Sequence, residues 1–312
     1  MKYAIVNFTK LTPTSLIASN RIATHLKTVI PESVMIDRKE ACNPKRQYDY
    51  IILINGNFGF CDFREEIIAL CRNNKRFIWA GNDYAIRIPS QLKKCMDDLT
   101  YWCAYDMDKD DGTMTSEYKY VNWNALTYQP LDHQPPKTFG GLMYYGAYRA
   151  GREKYFEEYL GEGVDYDVYI SASSKPNAKK FFRLNPKAKF FEGRPPYLLE
   201  TISAFKNTIY IEDEKTHQLY CSPANRFYEA VSSDVFLLFD HKCLPTFERA
   251  EIGITEYLVA GREEVEDKLK HRNELHQRQR KEFRDLLDCS FNFDSDLTMA
   301  MDGLTPTQSA KA

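Results

Sequence analysis

Two short runs that are apolar at every position, YIILI at Tyr50–Ile54 and VFLLF at Val235–Phe239, constrain this chain most. A strand with one wet face alternates apolar and polar residues. A strand apolar throughout belongs in a sheet covered on both faces, which is normally parallel with helical crossovers. The first half reads that way. Lys2–Phe8 opens as a strand, a helix is expected at about Leu16–Lys27, and Ser33–Asp37 gives a short second strand. Beyond Tyr50–Ile54 come a turn at Asn55–Gly59, a helix at Phe63–Arg72, a strand at Arg76–Ala80, and Gly81-Asn82-Asp83 as the loop past that strand's carboxyl end. Alternation to about Asp98 predicts a doubly wound α/β domain, in which functional residues gather at the carboxyl ends of the strands. No GxGxxG follows the first strand, which disfavours a nicotinamide dehydrogenase.

Tyr101–Tyr128 loses this pattern, and Gln129–Lys137 (QPLDHQPPK) has the proline content of a linker. The expected organisation is a first domain at 1–137, a second at 138–260, a charged helix at 261–288 and a polar tail at 289–312. Thr138–Tyr145 reads as a strand and Arg152–Leu160 as a helix, joined by a loop containing Gly146. A glycine there lets a ligand approach the backbone, and Arg149 and Arg152 offer forked donors that suit phosphate oxygens. Further strands are expected at Tyr166–Ser171 and Thr208–Glu212. In Ser222–Asp240, Ser222 suits an N-cap and Pro223 a first helical turn, so a helix there leads into the apolar strand. Arg226 and Glu229, three apart, share a face near the helix N-terminus, where a diphosphate can dock; the plainer reading is a solvated ion pair. About Arg262–Leu287 reads as one helix, mostly solvated and carrying His271 and His276 on its exposed surface.

At 312 residues the chain suits two domains, and a net charge of −2 gives no global attraction to nucleic acid. Eight cysteines without a CxxC pair, and no leader or membrane-spanning run, fit a cytoplasmic protein with free thiols. GxSxG and GxxxxGK[ST] are absent, which lowers the case for a hydrolase or a P-loop NTPase, and no histidine is given a role. Asp106, Asp108, Asp110 and Asp111 contain a D-x-D pattern of the kind that holds Mg²⁺ or Mn²⁺, but they follow no clean strand, so no metal is assigned. Lys179, Lys180, Arg183, Lys187 and Lys189, interleaved with phenylalanines, form either a nucleic-acid patch or the wet side of a half-buried helix and strand. Asp83 is the candidate general base, with a turn residue as the alternative.

With these residues in view, the chain resembles the bacteriophage DNA β-glucosyltransferases. Met143–Leu160 (MYYGAYRAGREKYFEEYL) looks like that family's strand, glycine turn and arginine pair. Asn225–Asp240 (NRFYEAVSSDVFLLFD) looks like its helix and strand carrying an Arg and a Glu. Asp83–Pro89 (DYAIRIP) is similar to the segment with its catalytic base, with two additional residues between Asp83 and Arg87. The resemblance implies a GT-B fold of two Rossmann-like domains facing each other across a cleft. It implies an enzyme that moves a sugar from a UDP-sugar to a hydroxymethyl pyrimidine, hydroxymethylcytosine foremost, in double-stranded phage DNA, as a means of restriction evasion. Gly146, Arg149, Arg152 and Arg226 would hold the donor diphosphate, Glu229 the ribose, Asp83 would act as base in an inverting displacement, and Tyr84 and Arg87 would lie on the acceptor side. No tightly bound cofactor, metal or membrane is implied. A transferase acting on a small molecule or polysaccharide, and a non-catalytic binder of nucleotide or DNA, remain as alternatives.

Overall fold

The structure, a computed structural model, describes residues 2–7, 19–41, 47–54, 64–81, 98–103, 118–120, 123–128, 131, 136–146, 148–171, 175–191, 198–214, 217 and 222–287. The first sheet has six strands in the order β2-β1-β3-β4-β5-β6, all parallel. These are β1 Tyr3–Val6, β2 Val34–Ile36, β3 Tyr50–Ile54, β4 Arg76–Gly81, β5 Asp98–Cys103 and β6 Tyr118–Tyr120. Its crossovers include α1 (Ser19–Val29), α2 (Arg38–Ala41) and α3 (Arg64–Asn73). Ile22, Ala23 and Leu26 of α1 recur at helical spacing and are buried with Ile5, Ile52 and Ile78 on one face, while Ile67 and Leu70 of α3 pack with Leu53 and Trp79 on the other. β3 is buried along its whole length, as an apolar run covered on both sides must be.

The second sheet also has six parallel strands, in the order β12-β11-β10-β7-β8-β9. They are β7 Phe139–Tyr145, β8 Val168–Ser171, β9 Lys189–Phe190, β10 Phe205–Tyr210, β11 Phe236–Asp240 and β12 Leu258–Val259. Counted from β7, this is the strand order 3-2-1-4-5-6 of dinucleotide-binding sheets, with its topological switch point between β7 and β10. Between the two sheets, α4 (Trp123–Thr127) places Trp123 and Leu126 in the first core, and Ala125 and the following Tyr128 in the second. The remaining helices are α5 Glu153–Leu160, α6 Lys175–Leu184, α7 Leu198–Ser203, α8 Asn225–Ser232, α9 Leu244–Arg249, α10 Arg262–Lys270 and α11 Arg272–Leu287.

Several expectations need correction. β6, α4 and the second half of β5 lie within Tyr101–Tyr128, the stretch without a readable pattern. Helix α8 begins at Asn225 with Ala224 in the capping position and no side-chain cap, so Ser222 does not serve as one. The C-terminal charged stretch is two helices that break at His271, and they are not merely solvated: Val265, Leu275, His276, Gln279 and Phe283 are buried. Gln279 is instructive. Its Oε1 accepts from the Leu237 N–H at 2.8 Å and its Nε2 donates to the Leu237 carbonyl at 2.8 Å, satisfying backbone of β11 beyond its pairing with β12.

His276 packs against Phe236 and sits 3.4 Å from Asp234, which also pairs with Arg280. Asp234 adopts φ 53° in the turn between α8 and β11. Burial disfavours its charge, but hydrogen bonds from His276 and Arg280 outweigh burial and hold the carboxyl well below the usual range. Such a carboxylate contributes stability above the unfolded-state value near 3.9, and that contribution is lost as pH falls toward the lower folded value. Asp234→Asn keeps a residue that tolerates positive φ, so it should cost about 1 kcal/mol at pH 7, and thermal unfolding should show the gap to wild type closing below about pH 4.

Candidate anion site at the switch point of the second sheet

Strands β7 and β10 pair side by side at the switch point, where a sheet of this order ordinarily opens a crevice at its carboxyl edge. Tyr144 and Tyr145 close β7, and Gly146 follows with φ 139°. A Cβ at Gly146 would stand 2.8 Å from Arg226 Nη1 and 3.3 Å from the Tyr144 hydroxyl, so only glycine lets the turn and that guanidinium share the space. The Gly146 N–H donates to the Ser171 carbonyl at 3.1 Å, tying the turn to the end of β8. Arg149 follows on the loop with its side chain exposed, and a single 3₁₀ turn at Ala150–Arg152 leads into α5.

Arg152 points inward and is 3% exposed. One oxygen of Glu212, just past β10, pairs with Arg152 and the other with Arg226. Glu212 is 2% exposed and is the carboxylate that allows two guanidiniums to stand together in the interior. The Tyr144 hydroxyl lies 3.4 Å from both Arg152 Nη1 and Arg226 Nη1, and Arg226 Nη2 donates to the Ile211 carbonyl at 3.1 Å. Asp213 is a further carboxylate, 3.7 Å from Arg152. Arg152 and Arg226 thus stand together on Glu212, and Arg149 follows exposed on the adjoining loop, so forked N–H donors of the kind that suit an anion gather at this end of the crevice. Helix α8 adds to this: its first turn starts beside the site, with the Ala224 N–H donating to the Tyr210 hydroxyl at 2.9 Å.

Glu229, one turn further along α8, does not pair with Arg226 in water. It is 5% exposed, and its Oε1 accepts from the Tyr128 hydroxyl at 2.7 Å. Burial raises its pKa, opposed by the Tyr128 hydrogen bond, by Arg21 and Arg226, and by Tyr145. The crevice thus has an arginine end and a carboxylate end, on one helix and one turn apart. Glu212 and Tyr128 carry no motif; the only signal for Glu212 was an acid at the end of a strand, and Tyr128 meets Glu229 across 101 residues.

Asp83, Tyr84 and Arg87 lie outside the described residues, as do Asp106, Asp108, Asp110 and Asp111. Among the described residues no group of three or more His, Cys, Asp or Glu side chains is placed to hold a metal ion, and no helix is long and apolar enough to cross a membrane. His217 is held between Thr246 and Cys243, and burial pushes its pKa down to about 4. The basic segment forms α6 and β9: Phe181 is fully buried, whereas Lys179, Lys180, Arg183 and Lys187 are exposed beside Phe182, which is 43% exposed. Lys180 reaches over the ring of Tyr148, next to Arg149, so the cationic face of α6 adjoins the anion site.

Two doubly wound parallel-sheet domains, the second with paired arginines at its switch point, define a GT-B fold. Solved structures carry the same architecture across the whole chain. One is the DNA modifying enzyme β-glucosyltransferase, determined with and without its substrate uridine diphosphoglucose: TM-score 0.70, 16% identity, covering 97% of this chain and 99% of that one. T4 phage BGT in complex with its UDP-glucose substrate gives a TM-score of 0.67 at 15% identity, with 97% and 99% covered. An α-glucosyltransferase in complex with UDP-glucose and DNA containing an abasic site gives 0.60 at 11% identity, with 96% and 99% covered. At these identities the likeness is one of fold. No protein-family model and no curated protein sequence matches the chain.

Proposed function

We propose that the protein is a glycosyltransferase that moves a sugar from a UDP-sugar to the hydroxymethyl group of a modified pyrimidine, hydroxymethylcytosine, in double-stranded phage DNA. The observation that carries this reading is the paired-arginine crevice at the switch point of the second sheet, with the buried carboxylate of Glu229 one turn beyond it, in a fold shared with DNA glucosyltransferases. Arg226 and Arg149 meet the donor diphosphate, Arg152 offsets the negative charge of Glu212 so that Arg226 keeps its attraction for the diphosphate, and Gly146 lets the diphosphate lie against the backbone. Glu229 accepts hydrogen bonds from the ribose hydroxyls.

Asp83, two residues past the end of β4, takes the proton of the acceptor hydroxyl as that oxygen attacks the anomeric carbon. The carbon–oxygen bond to the diphosphate breaks on the opposite side, and the configuration inverts. Charge grows on the departing UDP, and the arginines and the α8 N-terminus are already in place to receive it. The acceptor base must leave the duplex stack, which costs a few kcal/mol. Tyr84 and Arg87 stand on the acceptor side.

Duplex DNA flanking the extruded base follows the exposed cations of α6. Among the described residues none of Lys179, Lys180, Arg183 and Lys187 pairs with a carboxylate, so they are available to phosphates. Equilibrium titrations test both substrates. UDP-glucose and a hydroxymethylcytosine duplex should each bind saturably, and replacing Lys179, Lys180 and Arg183 together by Ala should lower the slope of log K against log salt by roughly 2 to 3. Absence of donor binding overturns the reading; an unchanged slope removes α6 from it.

A further inference from the structure

We propose that Tyr128, held from the first domain by Arg21, positions Glu229 for the ribose of the donor, so that affinity for the nucleoside half of the donor is set by both domains. This rests on the donor reading above. Tyr128 is 2% exposed and follows α4, the helix whose side chains are divided between the two cores. Its ring stacks on Tyr228 of α8, with centroids 6.3 Å apart and planes 7° from parallel. The guanidinium of Arg21, from α1 of the first domain, lies 3.7 Å from the ring centroid, and Arg21 Nε donates to Thr127 Oγ1 at 3.2 Å. Thr127 in turn donates to the Trp123 carbonyl at 2.6 Å. A ring held by stacking and by a cation aims its hydroxyl in one direction, and that direction is Glu229 Oε1 at 2.7 Å.

Removing that hydroxyl leaves Glu229 buried with a freer rotamer and one hydrogen bond fewer. A diol then has to order the carboxylate as it binds, and the ordering costs affinity. Tyr128 has no part in the Arg152–Glu212–Arg226 cluster, so its effect is confined to the nucleoside end. Arg21 from α1, Tyr128 after α4, Tyr145 from β7 and Arg226 from α8 all face the Glu229 carboxylate and favour its ionised form. Loss of the Tyr128 hydroxyl therefore moves the loss of UDP binding in acid to a higher pH.

The test is calorimetry on the full chain with two probes, UDP and inorganic pyrophosphate, for wild type, Tyr128→Phe, Glu229→Gln and the double variant. Tyr128→Phe should weaken UDP by about tenfold, the order expected for one hydrogen bond to a charged group, and leave pyrophosphate unchanged. The double variant should bind UDP no more weakly than Glu229→Gln alone, because both remove one unit. In turnover, KM for the donor should rise with kcat nearly constant. Equal weakening of UDP and pyrophosphate, or additive losses in the double variant, would mean that Tyr128 is merely structural and overturns the inference. So does a Tyr128→Phe variant with wild-type UDP affinity while Glu229→Gln is impaired, although the donor reading then stands. If Glu229→Gln itself binds UDP normally, the assignment of Glu229 fails and the inference fails with it.

Discussion

Asp83→Asn should lower kcat for sugar transfer by about a hundredfold to ten-thousandfold, the range a positioned general base supplies, while donor affinity stays at the wild-type value. The substitution keeps the size of the side chain but replaces an accepting carboxylate oxygen by a donating NH2 group, so the side chain can no longer take a proton. Strand β4, which ends at Gly81, runs between β3 and β5 in the first sheet, and its carboxyl end is where such a sheet presents reactive groups. The proposed donor site stands on the second sheet. Asn at 83 therefore has no reason to disturb UDP binding, and initial rates alongside calorimetric titration separate the two quantities. A variant that still turns over at near the wild-type rate places the base elsewhere.

Glu212→Ala is the second substitution with a large expected effect, here on stability. It leaves Arg152 and Arg226 adjacent, with side chains 3% and 16% exposed and no carboxylate between them, Arg152 keeping only the longer contact of 3.7 Å to Asp213. Breaking a buried ion pair at one partner typically costs about 3–5 kcal/mol, because the remaining charge is neither hydrated nor paired. The same physics predicts rescue. Pyrophosphate brings negative charge to the place Glu212 vacated, so it should raise the melting temperature of Glu212→Ala by more than it raises that of wild type. A thermal scan with and without pyrophosphate reads both effects. A loss below about 1 kcal/mol, or equal stabilisation of the two proteins, contradicts the role given to Glu212.

The strands that could be read from sequence were those whose environment imposes a single residue class. YIILI at Tyr50–Ile54 and FLLFD at Phe236–Asp240 are buried at every position, and burial on both faces leaves no polar residue to confuse the pattern except at the strand end. The strands β5 (DLTYWC) and β6 (YKY) mix charged, polar and aromatic residues and are short or separated by a long acidic stretch, so periodicity had nothing to act on. The C-terminal helices misled for a different reason. Part of their buried face is polar, with His276 against Asp234 and Gln279 on the backbone of Leu237, so counting apolar residues underestimates how much of them packs.

The candidate site divides along the same line. Gly146, Arg149, Arg152, Arg226 and Glu229 could be named as candidates from residue type and local position, a glycine after a strand or an arginine or glutamate near a helix start. Glu212 and Tyr128 could not, because what matters about them is a partner 60 or 101 residues away that only the folded chain brings near. The plainer reading of Arg226 and Glu229 as a solvated ion pair fails for a packing reason: both are engaged by other elements, Arg226 by Glu212 and Glu229 by Tyr128.

Mass spectrometry of nucleosides tests the central claim most directly. Duplex DNA containing hydroxymethylcytosine, with hydroxymethyluracil duplex as a comparison, is incubated with the protein and a panel of UDP-sugars, then digested and weighed. The account predicts a gain of one sugar residue on hydroxymethylcytosine with at least one donor, and at least a hundredfold less of it in the same time with Asp83→Asn. No gain on hydroxymethylcytosine with any donor contradicts the proposed acceptor, and failure of the protein to bind or cleave any UDP-sugar contradicts the donor site as well.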